Sequence, residues 1–202
     1  GMPDDGMEGH LTDVKTFNST LTQAEIQLMA SRPYAPLDLI PASSGSCQMW
    51  YKLDDADATY AIDSSGKGND GPAAGIAGPF TKDFSVYNLN QVGSGSLSGS
   101  MMISGGTWDL KASSYMDFDG SGDYVSIPSS AELNASLVKT IAFWCKPTAS
   151  QDGQIISRGS NDYEVYIHTS TDTFWGYWGT RYVDGGTGVP VSFGEWQHIV
   201  MT

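Results

Sequence analysis

Apolar residues along this chain follow two different rhythms. Near the N-terminus Leu11, Val14 and Phe17 stand among polar neighbours, a weak strand signal, and Thr22-Gln-Ala-Glu25 then forms a capping box ahead of Ile26, Leu28 and Met29. That pattern predicts a short helix, which Pro33 stops because its ring nitrogen carries no hydrogen for the next helical bond. Residues 33–46 are rich in Pro, Ser and Ala, the composition of a linker or extended connection. After Cys47 short alternating runs take over, at 48–53, 115–118, 124–127, 140–146, 154–157, 163–168, 173–178 and 196–201.

Glycine-containing turns separate most of these runs, among them Asp119-Gly-Ser-Gly, Gln151-Asp-Gly and Asp184-Gly-Gly, and no helical period intervenes. The pattern predicts an all-β chain, an antiparallel sandwich or barrel with one short helix near its N-terminus. The Gly- and Ser-rich stretch from Pro72 to Leu110, with Phe80, Phe84, Tyr87, Leu89 and Trp108, reads as an elaborated loop or one extra hairpin. Residues 116–128 read as a hairpin around the Asp119–Asp123 turn.

Composition narrows the partners. The 202 residues are 40% hydrophobic, enough for one large or two small cores. Ten basic against 23 acidic residues give a formal charge of −13, so nucleic acid is not an expected partner and neither is an anionic membrane surface. No run approaches the roughly 20 apolar residues of a membrane helix, so no membrane insertion is expected. Cys47 and Cys145 are too few for a disulfide scaffold, and Cys145 lies in an apolar run that suits a buried thiol; whether the two are bonded stays open.

Candidate chemistry is concentrated at two places. In Thr173-Phe-Trp-Gly-Tyr-Trp-Gly-Thr-Arg-Tyr182, alternation puts Phe174 and Trp178 on one face of a strand and Trp175 and Tyr177 on the other. One face belongs to the core. The other offers flat rings for the CH surfaces of a sugar, with Arg181 or Glu164 to hydrogen-bond hydroxyls, although sandwich packing alone also explains such a strand. The run Asp63-Ser-Ser-Gly-Lys-Gly-Asn-Asp70 supplies hard oxygen donors through Asp63, Asn69 and Asp70, with Asp54, Asp55 and Asp57 upstream, and is a candidate calcium loop or a simple Asx turn. Glu8, Glu25, Glu132, Glu164 and Glu195 are scattered without the close pairing of a retaining glycosidase; His10, His168 and His198 lack zinc spacing. No enzyme is expected from these residues.

Five ordered stretches carry a family resemblance: Trp50-Tyr-Lys-Leu-Asp54, Asp63 to Gly71, Met116 to Pro128, Thr140-Ile-Ala-Phe-Trp-Cys-Lys-Pro147 and Glu195-Trp-Gln-His-Ile-Val-Met-Thr202. In this order they resemble the successive strands of a LamG-like, concanavalin A-like jelly roll. The resemblance implies a jelly-roll β-sandwich over 47–202 that stops short of the family's closing strands. The closing words stand at the front instead, as Gly9-His-Leu-Thr-Asp-Val14 and Leu21-Thr-Gln-Ala-Glu-Ile26, so that 1–32 resembles the end of a preceding repeat, followed by a linker at 33–46. A tandem array is the implied setting, and residues 9–17 are expected to pair into the same sandwich, in cis or by strand exchange in a homo-oligomer.

The resemblance further implies a carbohydrate- or glycoprotein-binding module without catalysis, in an extracellular, cell-surface or virion protein, with calcium as a candidate cofactor. Two other settings fit the same residues: a structural or adhesion repeat with no ligand of its own, and an accessory domain of a glycoside hydrolase.

Overall fold

In the computed structural model the longest strand, β1 (Glu8–Phe17), lies in the middle of a sheet rather than at its edge. The model describes residues 6–32, 34, 37, 44–53, 60–74, 85–90, 103–104, 107–112, 115–134, 140–158, 162–179, 181–182 and 188–202. Helix α1 (Gln23–Ser31) follows β1. The remaining strands are β2 (Cys47–Tyr51), β3 (Tyr60–Ala61), β4 (Gly71–Ala74), β5 (Ser85–Asn90), β6 (Ile103–Ser104), β7 (Thr107–Ala112), β8 (Met116–Asp119) and β9 (Tyr124–Val125). The C-terminal part adds β10 (Thr140–Pro147), β11 (Gly153–Ser157), β12 (Tyr163–His168), β13 (Thr173–Trp178), β14 (Arg181–Tyr182), β15 (Val189–Pro190) and β16 (Gln197–Met201).

Two five-stranded antiparallel sheets face each other. The first runs β16-β10-β1-β2 with β8 also on β1, and the second runs β11-β12-β13-β14 with β15 also on β13. β10 covers one edge of β1 from Gly9↔Pro147 to Phe17↔Thr140. The other edge is shared, β8 pairing with Glu8–Leu11 and β2 with Val14–Phe17. The expected pairing of residues 9–17 into the sandwich is thus found within one chain, and strands flank β1 on both edges over most of its length. Two smaller sheets, β3-β4-β9 and β5-β7-β6, accompany the sandwich. The second of these is a three-stranded sheet, in the stretch where an elaborated loop or one extra hairpin was expected.

Period-two alternation decides the packing. Leu11 and Val14 from β1, Met49 and Tyr51 from β2, Ile141, Phe143 and Cys145 from β10, and Val165, Ile167 and Phe174 from the second sheet point into one shared apolar core. Interruption at Thr12/Lys15, where Asp13 adopts φ 53, keeps Leu11 and Val14 both inward across the irregularity. Gly9 allows β10 to come close: a Cβ there would strike the Lys146 carbonyl and stand 2.8 Å from the Pro147 Cα.

The outer face of the first sheet is covered by α1. Its capping box is formed, with Glu25 N–H donating to Thr22 Oγ1 at 3.4 Å and Thr22 N–H to Glu25 Oε2 at 2.8 Å. Leu21, Met29, Tyr34 and Leu37 pack with Phe17, Cys47, Trp50 and Ala142 in a second cluster. Beneath that cover Lys15 and Asp13 form a buried ion pair; Asp13 also accepts from Trp50 Nε1 at 2.7 Å and Tyr34 N–H at 3.1 Å. Burial pushes the Lys15 ammonium below its ordinary pKa, against the pull of Asp13. Nearby, His198 stands opposite Trp144 and is pushed down to about 4 by burial, with the Lys15 charge adding to the effect.

Both cysteines are free and buried. They lie on opposite faces of the first sheet, Cys145 in the inter-sheet core and Cys47 under α1, so no bridge joins them. Burial pushes the Cys47 thiol up to about 12, which leaves it unreactive at neutral pH.

One expectation is corrected. Residues 116–128 do not form a hairpin, because β8 pairs with β1 and β9 with β4. Side chains close the turn in place of a ladder: Asp123 Oδ2 accepts from Asp119 N–H and Asp119 Oδ1 from Ser121 N–H, each at 2.8 Å. The two arms are thereby free to join different sheets.

Candidate functional site

Register in the second sheet sorts its side chains into two rows. Opposite partners on antiparallel strands share a face, so Tyr163↔Trp178 and Ile167↔Phe174 define the inner row. Glu164↔Tyr177, Tyr166↔Trp175 and His168↔Thr173 define the outer one. On β11, Gln154 opposite Tyr166 and Ser157 opposite Glu164 extend that outer row. Trp175, Tyr177 and Glu164, expected from the sequence to work together, are therefore brought onto one face.

Arg181 is not brought with them by register. It pairs with Trp178, whereas Tyr182 pairs with Tyr177. The side chain of Arg181 lies outside the described residues. Two further members, Tyr166 and His168, were missed in the sequence reading although the alternation Glu164, Tyr166, His168 signals them.

The aromatic members touch one another. His168 stacks on Trp175 with ring centroids 4.9 Å apart and planes inclined by 25°, and Tyr166 lies tilted against Trp175 at 6.2 Å. Trp175 Nε1 donates to Thr173 Oγ1 at 2.6 Å, which fixes the indole in its plane. Gly188, at φ 71, passes so close that a Cβ would stand 2.7 Å from Trp175 Nε1 and 2.5 Å from Thr173 Oγ1. Trp175, Tyr166, His168 and Tyr177 all stay half-buried, each keeping part of its surface toward solvent.

Glu164 is the polar centre of this face. It is buried, 3% exposed, and accepts from Gln154 Nε2 at 2.7 Å. Burial raises its carboxyl above the ordinary value, with the Gln154 hydrogen bond acting in the opposite sense. No second carboxylate belongs to this outer row among the described residues, so the separation of about 5–5.5 Å that a retaining glycosidase needs is not formed there. The arrangement can hold a flat apolar surface and accept or donate hydrogen bonds around it.

The Asp63 loop is organised differently. Asp63 Oδ1 accepts from Trp50 N–H and Ser65 N–H, both at 2.9 Å, and Oδ2 accepts from Ser65 Oγ at 2.8 Å and Asn69 N–H at 3.0 Å. Asp70 Oδ1 takes the Asp63 N–H at 2.7 Å, and Asn69 donates its side-chain amide to the Gln48 carbonyl at 2.8 Å. Calcium requires six to eight oxygens converging on one point. Here the carboxylates of Asp63 and Asp70 face N–H and O–H donors and clamp the turn. Asp54, Asp55 and Asp57 lie outside the described residues. Among the described residues no group of three or more His, Cys, Asp or Glu side chains is placed to hold a metal, and no helix is long and apolar enough to cross a membrane.

Comparison with known families gives one match: residues 119–202 fit the model of the concanavalin A-like lectin/glucanases superfamily. That span contains every strand of the aromatic face. Comparisons with curated proteins and with solved structures return no match.

Proposed function

We propose, from the match of residues 119–202 to the concanavalin A-like lectin/glucanases superfamily, that this chain is a non-catalytic carbohydrate-binding module whose ligand lies on the outer face of β11–β13. The observation that carries the proposal is the half-buried ring group of Trp175, Tyr166 and His168 beside the Glu164–Gln154 pair. Pyranose rings present CH faces that pack on indole and phenol rings, and their hydroxyls need acceptors and donors at the ring edge. Glu164 and Gln154 supply both.

Charge chooses among sugars. The chain carries −13 overall, and a buried carboxyl sits in the middle of the platform. Neutral glycans suit this site; sulfated or carboxylated ones meet repulsion that nothing in the described outer row offsets. A secreted or surface-exposed protein is the setting in which such a module works.

A glycan array probed with the wild-type chain and with Trp175→Ala and Tyr177→Ala tests the reading. Binding confined to neutral glycans and lost in Trp175→Ala supports it. Absence of binding to every glycan favours a structural repeat instead.

A further inference from the structure

Among the described residues of the outer row, only Glu164 and His168 change charge between neutral pH and mild acid, and both change in the same direction. The other members, Gln154, Ser157, Tyr166, Thr173, Trp175 and Tyr177, carry no charge over that range. With His168 neutral, the row is negative through Glu164. An imidazole gains its charge between about pH 8 and 5. Glu164, whose carboxyl burial raises above the ordinary value, gives its charge up earlier in the same descent than an exposed carboxylate does. Mild acid thus moves the row from negative toward positive.

His168 is placed to use that positive charge. Its ring stacks on Trp175 at 4.9 Å, and an indole face attracts a cation. Its Nδ1 lies 2.9 Å from Ser170 Oγ, an oxygen that can donate to the neutral ring and accept from the protonated one, so the ring keeps one pose in both states. Nε2, across the ring, has no hydrogen-bond partner among the described residues and is the atom left to meet a ligand. Neither Tyr166 on the same strand nor Thr173 and Trp175 on β13 brings a charge to it. The carboxylates tied to the β12–β13 turn are engaged there: Asp152 accepts from Thr169 N–H at 2.8 Å and from its Oγ1 at 3.1 Å, and Asp172 accepts from Ser150 Oγ at 2.5 Å. Asp152 is held below its ordinary value first by the Thr169 N–H and further by the charge of His168, so this carboxylate favours the imidazolium.

We infer that mild acid opens the outer face of β11–β13 to anionic glycans, those carrying a sulfate ester or a carboxylate, and that His168 is the residue that determines this specificity. The inference rests on the reading of that face as a glycan site. The sugar ring stays on Trp175 while its anionic group pairs with His168 Nε2. Near neutral pH the same group meets an uncharged imidazole and the Glu164 carboxylate, so neutral glycans alone are held.

The test uses the full chain and a matched pair of probes, the neutral glycan bound most tightly on the array and its 6-O-sulfated form, titrated by calorimetry at pH 7.5 and pH 5.0. A sulfate ester stays ionised at both, so a change in the ratio of the two affinities comes from the protein, and a uniform loss from disturbed packing leaves that ratio alone. The wild type binds the sulfated probe about tenfold more weakly than the neutral one at pH 7.5 and at least as tightly at pH 5.0. His168→Phe keeps a ring against Trp175 without charge, and its ratio at pH 5.0 stays about tenfold below that of the wild type; His168→Gln, a smaller side chain, gives the same result. Glu164→Gln raises the ratio at pH 7.5 and leaves the further rise in acid in place. If the wild type holds the neutral probe through Trp175 but its ratio is the same at both pH values, the acid switch is refuted and the glycan site stands. A rise of wild-type size in His168→Phe and His168→Gln refutes the role of His168. Absence of binding to any glycan at either pH overturns the glycan site and the switch together.

Discussion

His168 lies face to face with Trp175 across neighbouring strands, centroids 4.9 Å apart, and the Thr173 hydroxyl pins the indole nitrogen at 2.6 Å. The platform residue is therefore held from two sides before any ligand arrives. Such preorganisation reduces the ordering cost of binding.

Gly188 is the third constraint on that indole. Its positive φ and the 2.7 Å that a Cβ would leave to Trp175 Nε1 mean that Gly188→Ala must displace the ring or the backbone. The expected outcome is a loss of glycan affinity of about tenfold, with the two sheets still formed; stacking contacts of this class are worth on the order of 1 kcal/mol. Affinity of the variant measured beside its far-UV circular dichroism checks this. Unchanged affinity would mean that the indole position does not matter to the ligand.

Glu164 gives a pH signature. Its folded pKa is raised by burial, so the contribution to stability is fully present below the ordinary carboxylate pKa and is lost as pH rises through the raised value. Glu164→Gln keeps an acceptor for Gln154 and has no charge to desolvate. Melting temperatures of the two proteins should coincide near pH 4 and separate toward pH 7, with the Gln variant higher. A gap that does not depend on pH would contradict the burial of an ionised carboxylate at this position.

Much of this architecture is legible in the alternation of the strands. Phe174 and Trp178 inward and Trp175 and Tyr177 outward follow directly from the period of two, and the helix start follows from Thr22 and Glu25. Register is less legible. Arg181 is four residues from Tyr177 and shares its parity only while the strand is continuous; the turn at Gly179 reverses the chain and pairs Arg181 with Trp178. The Asp63 loop is open for a related reason, since oxygen-rich sequence does not reveal whether the oxygens meet one another or meet N–H groups. The parting of β8 from β9 was hidden because turn closure by Asp119 and Asp123 needs the same residues as a hairpin.

Asp13 and Lys15 make a buried pair beneath α1, 3% and 1% exposed. Removing either partner strands a charge under the helix, so Lys15→Met and Asp13→Ala should each cost about 3–5 kcal/mol. The double variant should be less damaged than the sum of the two. Urea unfolding of all four proteins measures the coupling; additive losses would mean that the two charges do not depend on each other.

The Asp63 carboxylate accepts from four donors. Asp63→Ala should cost roughly 2–4 kcal/mol, and the wild-type melting temperature should be the same in millimolar calcium and in excess chelator. A rise with calcium that disappears in Asp63→Ala would return an ion to this loop.

The most direct measurement is the tryptophan side-chain N–H region of a ¹H–¹⁵N correlation spectrum, recorded while the tightest neutral glycan from the array is titrated in. Binding on the outer face of β11–β13 predicts that the Trp175 resonance, assigned through Trp175→Phe, shifts in a saturable way while Trp50, buried under α1, stays still. Saturable shifts that spare Trp175 and fall on other tryptophans would contradict it.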